Sequence, residues 1–163
     1  MQSVYTVFGI YTFAGAAAAV YPLFIRNDDP NNLLVIDNIT FQAVNLTGGT
    51  VLPNAGAYFS IGFAQTYTSG GTDVVPVNAN RTSTNVANGL FKQGNPTLAG
   101  TLIESYRIYP IASSIISEPV IVRGNDIILG RSKSLSIRYT SDNTAGTLIA
   151  SIKFFYATPS NMG

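Results

Sequence analysis

Between Val120 and Ala157 the chain runs VIVRGNDIILGRSKSLSIRYTSDNTAGTLIASIKFFYA, three strand-like apolar runs separated by turn residues. Over Ser134–Thr140 the large apolar side chains Leu135, Ile137 and Tyr139 alternate with Ser134, Ser136, Arg138 and Thr140. Successive side chains of an extended chain point to opposite faces, so this period of two predicts a strand with one buried face. Leu148–Tyr156 repeats the pattern: Leu148, Ala150, Ile152, Phe154 and Tyr156 share one face, opposite Ile149, Ser151, Lys153 and Phe155. The link from Ser141 to Gly146 concentrates residues that accept turn or left-handed backbone, and read most simply it joins an antiparallel pair.

The rest of the chain obeys the same grammar. Strand patterns recur at Leu33–Val44, at Tyr58–Tyr67, at Leu102–Ile111 and at Ile115–Val122, with a short run at Val51–Leu52. Asp37 and Asn38 interrupt the first of these, as at a bulge or an edge. In Tyr58–Tyr67, Phe59, Ile61, Phe63 and Tyr67 face one way and the small residues Ser60, Gly62 and Ala64 the other, which lets another layer approach closely. From Thr68 to Gly100 the chain is rich in Asn, Thr, Gly and Ser, too long for a structureless loop in a compact domain. It is either a functional excursion or hides short strands, with Val74–Val77 and Val86–Phe91 as candidates. No segment beyond a single turn at Ala14–Ala19 has helical periodicity. Eight or more short strands spaced by turns predict an all-β fold, a sandwich or a barrel; the expected form is an antiparallel β-sandwich, with eight strands in two sheets as a jelly roll.

Residues 1–25 carry no charge before Arg26. A secretory signal would start with positive charge, and a membrane helix would not be diluted by Gln2, Thr6, Gly9, Thr12, Gly15 and Pro22. The residues Tyr5, Val7, Thr12, Phe13 and Val20 favour extended structure, so the segment reads as an extended N-terminal arm preceding one sandwich domain over 26–163. Such an arm either pairs with its own sheet or lies on a neighbouring subunit. Tyr5, Val7, Phe8, Tyr11, Phe13 and Tyr21 are therefore the candidate partner-binding residues.

Chemistry is sparse. The chain has no Cys, His or Trp, which removes disulfides, thiol chemistry, the commonest general base and the commonest transition-metal ligand. The eight acids, Asp28, Asp29, Asp37, Asp73, Glu104, Glu118, Asp126 and Asp142, fall mostly beside turn residues and read as solvated turn carboxylates rather than a glycosidase pair. Asn27–Asn32 offers oxygen ligands of the kind calcium takes, but lacks the spacing of an EF-hand loop and reads as a turn. Arg123-Gly124-Asn125-Asp126 reads as another. Arg131, Lys133, Arg138 and Lys153 form at most a basic stripe, with Arg138 and Lys153 expected on adjacent strands. A net charge of +1 is far from the excess that nucleic acid demands. The sequons at Asn38, Asn45 and Asn80 are what chance gives in so Asn- and Thr-rich a chain. Charged residues make up 10% of the chain, against about 25% in a typical soluble domain. A surface so poor in charge suits permanent packing against neighbours. The expectation is no catalytic residue, no cofactor or metal, and no nucleic-acid or membrane partner.

Gly70-Gly71-Thr72 followed by Pro76-Val77, then Pro119–Val122 with Gly124–Leu129, and the Thr144–Phe155 strand, resemble small β-sandwich virion proteins of tailed bacteriophages. The resemblance spans Leu33–Ala157 and rests on strands and turns rather than a signature motif. It implies a capsid decoration or cement protein on the virion surface, a homo-oligomer with a trimer favoured, bound to the major capsid protein or other virion proteins. The alternative is a carbohydrate- or receptor-binding sandwich of a tail or fibre, with tyrosines in or beside the Thr68–Gly100 excursion.

Overall fold

The computed structural model describes residues 3–14, 19–47, 58–108, 112–113, 116–117, 120–123, 127–140 and 145–159. In chain order the strands are β1 (Val4–Ala14), β2 (Val20–Asn27), β3 (Leu33–Thr47), β4 (Tyr58–Phe63), β5 (Thr66–Ser69), β6 (Thr72–Asp73), β7 (Val77–Asn78) and β8 (Gly89–Gln93). They continue as β9 (Thr97–Ala99), β10 (Ile103–Ile108), β11 (Ala112–Ser113), β12 (Ile116–Ser117), β13 (Val120–Arg123), β14 (Ile128–Leu129), β15 (Ser134–Thr140) and β16 (Ala145–Ala157). The protein is an all-β sandwich of antiparallel sheets. No helix among the described residues is long and apolar enough to cross a membrane.

The first sheet runs β11-β12-β3-β16-β1-β7, with β13 and β14 also pairing β3; the second runs β10-β4-β15-β2-β8-β6. A two-stranded ribbon of β5 and β9 stands apart. The eight principal strands, in chain order, are β1, β2, β3, β4, β10, the β13–β14 pair taken as one interrupted strand, β15 and β16. Sheet one therefore holds the first, eighth, third and sixth of these as neighbours, and sheet two the second, seventh, fourth and fifth. Consecutive strands β1, β2 and β3 alternate between the sheets.

That alternation overturns the expected β15–β16 pair. β15 lies between β4 and β2 in the second sheet, while β16 lies between β3 and β1 in the first. Turn residues reverse the chain, but they do not dictate that it returns to the same sheet. Two strands that each bury one face are equally satisfied facing each other across a core. The same correction dissolves the basic stripe, because Arg138 and Lys153 occupy the outer faces of different sheets. The link at 141–144 and the short run at Val51–Leu52 lie outside the described residues, as does the turn at 124–126.

Residues 4–14 and 20–27 do not form a protruding arm. β1 pairs with β16 from Val4↔Phe155 to Ala14↔Ala145, and β2 pairs with β15 and β8. Of the two expected homes the segment takes its own sheets. β3 is a long central strand, and Asp37 is skipped between Lys153↔Asn38 and Phe154↔Ile36, which makes the anticipated interruption a bulge inside the sheet.

The core fills from both sheets, with Val7, Leu23, Ile25, Ile36, Ile39, Ile61, Leu135, Ile137, Leu148, Ile152 and Phe154 fully buried. Aromatic pairs fill the core, some across the layers and some between neighbouring strands of one sheet. Phe41 stacks on Phe59 at 5.0 Å between ring centres, and Phe91 on Phe154 at 5.6 Å. Tyr139 joins Phe59 at 4.8 Å and Phe13 at 6.1 Å, while Tyr5 stacks on Phe154 at 5.5 Å. Such offset contacts add about 0.5–1.5 kcal/mol per pair beyond area burial.

The Thr68–Gly100 excursion hides short strands. β8 extends the second sheet, β6 pairs β8, β7 covers one end of β1, and β9 returns to β5. Gly70 and Gly71 have φ of 72° and 67°, and a Cβ on Gly71 would stand 2.6 Å from the Gln93 carbonyl oxygen, so the turn into β6 needs glycine. The predicted small face of β4 is occupied by the chain itself: a Cβ on Gly62 would overlap Leu102. Gly62→Ala is expected to cost about 1–3 kcal/mol by overpacking. Urea unfolding measures it, and Leu102→Ala in the same chain should restore part of the loss, since the two effects share one contact.

Candidate functional site

The two outer faces of the sandwich differ. On the second sheet, Phe24, Ser136 and Gln65 are buried although they point away from the main core. The β5–β9 ribbon covers them, with Tyr67 6.4 Å from Phe24 between ring centres. Beneath it runs a polar chain of contacts. Gln65 donates from Nε2 to the Tyr21 hydroxyl at 3.1 Å, and Ser136 donates to Gln65 Oε1 at 3.1 Å. The Ser134 hydroxyl donates to the Gln65 carbonyl. These bonds explain how Ser134 and Ser136, expected to face solvent, lie in the interior.

Among the described residues no such cover lies over β1 on the first sheet. Phe8 and Ile10 stand on its outer face at 52% and 53% exposure, directly opposite Ser151 and Ile149 of β16. The Thr12 and Thr147 hydroxyls pair at 3.0 Å at one end of this strip, and Lys153 meets Asp37 at 2.9 Å further across the sheet. The free edge of β1 is blunted, because Gln93 Oε1 accepts from the Ile10 amide at 3.1 Å. The exposed surface is therefore a face rather than an edge that invites strand addition.

Of the six residues expected to bind a partner, Phe8 alone presents a large exposed apolar side chain. Tyr5, Val7 and Phe13 are core residues, Tyr11 packs partly against the core, and Tyr21 accepts the Gln65 bond. The period of two within β1 separates these sets, and Ile10, on the same face as Phe8, was missed.

The described acids are each engaged locally. Asp28 takes a two-pronged contact from Arg26 at 2.7 and 3.0 Å, Asp73 pairs with Lys92 at 2.8 Å, and Glu104 with Arg107 at 2.7 Å. Asp29 Oδ1 accepts from the amides of Asn31 and Asn32 and from the Asn32 side chain, so the candidate calcium turn spends this oxygen on its own backbone. Among the described residues no group of three or more acids is placed to hold a metal ion. Glu118, Asp126 and Asp142 lie outside the described residues.

Beside the ribbon, Arg107 on β10 and Arg138 on β15 flank Ser60 on the strand between them. Burial favours the neutral form of Glu104, but Arg107, Ser60 and the charge of Arg138 outweigh it and hold the carboxyl below its ordinary pKa. Tyr106, on the same edge strand, is 49% exposed. Tyr67 is less available to a ligand: its ring meets Phe24, Lys92 lies over it at 4.9 Å, and its hydroxyl donates to the Gly70 carbonyl.

A lateral cleft of about 590 Å³ opens where β4 and β10 of the second sheet approach β14 of the first. Phe63, Ala64, Ile127, Ile128 and Leu129 make its apolar walls, and Lys133 is the one charged residue among its described lining. Ala64 and Ser132, at φ of 68° and 61°, both border it. No family model, no curated protein and no solved structure matches this chain.

Proposed function

We propose that the chain is a non-catalytic structural component of a virion, a jelly-roll sandwich that decorates or cements a capsid shell as a homo-oligomer, with a trimer favoured. The alternation of consecutive strands between sheets supports the jelly-roll reading, since a double Greek key has this order. The resemblance in the Leu33–Ala157 pattern and the 10% charge content support the virion role. The observation that carries the reading is the pair of neighbouring exposed apolar side chains Phe8 and Ile10 on the outer face of β1, at 52% and 53% exposure; the ribbon covers Phe24, Gln65 and Ser136 on the second sheet, whose edge strand β10 also exposes Ile103 at 60%. The shell protein is the occupant we assign to the β1 face. Burying the exposed half of each of Phe8 and Ile10 contributes about 1 kcal/mol, and many copies acting together would resist expansion of the shell.

Co-sedimentation with empty shells of the cognate capsid protein tests this. The wild-type protein should pellet with the shells, and Phe8→Ser/Ile10→Ser should remain in the supernatant while still unfolding cooperatively in urea. Equal pelleting of both proteins would overturn the assignment. A second reading, a glycan-binding module, is favoured by Tyr106 exposed beside the Glu104–Arg107 pair. Binding on a glycan array that is lost in Tyr106→Ala would select it.

A further inference from the structure

We propose that the lateral cleft is a binding site for an aliphatic carboxylate, with the hydrocarbon chain against Phe63, Ile127, Ile128 and Leu129 and the carboxylate at the Lys133 ammonium. The cleft volume of about 590 Å³ falls within the range of about 300–1,000 Å³ usual for small-molecule sites. Its walls are mainly apolar, and Ile128 leaves 41% of its surface in water, so an apolar ligand gains by covering it.

The polar groups of the lining define the other end of the ligand. Most are already committed within the protein. The Ser134 hydroxyl donates to the Gln65 carbonyl, the Gln65 amide is held between Tyr21 and Ser136, and the Ser105 and Thr66 hydroxyls donate to the carbonyls of Ile61 and Ala99. Lys133, by contrast, is exposed and has no ion pair among the described residues, where Arg26, Lys92, Arg107 and Lys153 each have one. A lining cation with no ion pair among the described residues, set in an apolar cleft, selects an anion with an apolar body over a sugar or a cation.

The site is also built in advance. Residues 130–133 form a tight turn in which the Lys133 amide donates to the Gly130 carbonyl at 3.1 Å. The Ser132 amide donates to the Asn27 carbonyl at 2.7 Å, and the Asn27 amide to the Lys133 carbonyl at 3.0 Å. Ala64 and Ser132 hold left-handed backbone that side-chain-bearing residues adopt at a cost, and such strain persists where the surroundings fix it, often around ligand sites. Lys133 is thus presented from a pinned loop, which spares a ligand the entropy of ordering it.

Titration of the full chain with octanoate, octylamine and octanol, followed by calorimetry and by amide chemical shifts, tests the proposal. Octanoate should bind with shifts confined to residues 63–66 and 127–134, octanol more weakly, and octylamine not at all. Lys133→Gln, a surface change, should weaken octanoate roughly fivefold and leave octanol unaffected, as loss of a solvent-exposed ion pair dictates. Ile128→Asn should weaken both roughly tenfold through lost apolar contact. Absence of octanoate binding, or equal affinity in wild type and Lys133→Gln, would overturn it. Shell binding in the co-sedimentation assay does not depend on the outcome, since Phe8 and Ile10 lie on another face.

Discussion

Deleting residues 2–20 should abolish folding altogether. The segment contributes β1, which lies against the central strand β16 at every position from Val4 to Ala14, and it takes Tyr5, Val7, Phe13 and Val20 out of the core. Four large buried side chains at about 2–3 kcal/mol each come to roughly 10 kcal/mol, comparable with the whole stability of an ordinary domain. Removal also strips β16 of a full row of hydrogen-bond partners and opens the layer to water. In urea the truncated chain is expected to show no cooperative transition and only weak far-ultraviolet β signal. A sigmoidal transition with the slope of the intact protein would show that β1 is an appendage after all.

Asn27→Leu is expected to be the most damaging single substitution of a polar residue. Asn27 is fully buried at the end of β2, and its side chain makes three bonds to two other segments, the 29–32 turn and β14. Nδ2 donates to the Leu129 carbonyl at 2.8 Å and the Asn32 carbonyl at 3.0 Å, while Oδ1 accepts from the Asp29 amide at 3.0 Å. Leucine has nearly the same size and none of these bonds, so buried carbonyls and an amide lose their partners. Unsatisfied groups of this kind cost about 1–3 kcal/mol each, and with partial relaxation the total is about 3 kcal/mol. For a chain of this length that lowers the melting temperature by roughly 6–12 °C. Calorimetry should separate it clearly from Asn85→Ala, an exposed change expected within about 0.5 kcal/mol. A loss from Asn27→Leu no larger than that of Asn85→Ala would deny Asn27 its role as the joint between β2, the 29–32 turn and β14.

Asn27 also shows where reading the sequence stops. Six neighbouring residues, Asn27–Asn32, have turn composition, and nothing local marks the first of them as a buried hub, one of whose partners lies 102 positions away. The alternation in β1, β15 and β16 was legible because a strand's period is a property of the strand alone: Leu148, Ala150, Ile152 and Phe154 are all buried as the pattern requires. Which sheet each strand joins is set by long-range packing, and so the β15–β16 link was misread. Ser134 and Ser136 were assigned to solvent for the same reason, since the ribbon that buries them is contributed by residues 66–69 and 97–99. Tyr5, one of the candidate partner-binding residues, is a core residue, as is Tyr139, and Tyr156 donates to the Asn88 carbonyl at 2.7 Å, its ionisation suppressed mainly by burial. In the candidate site, Phe8 was legible as an aromatic in an uncharged segment. Its exposure became clear only once β1 was seen to face the core with the opposite set of side chains.

The proposed role turns on association, so the native mass of the protein, alone and with empty capsid shells, is the most direct measurement. Light scattering or native mass spectrometry should give an oligomer, with three copies favoured, and this species should move with the shells when they are added. A stable monomer of 17.3 kDa that stays apart from the shells would contradict the proposal.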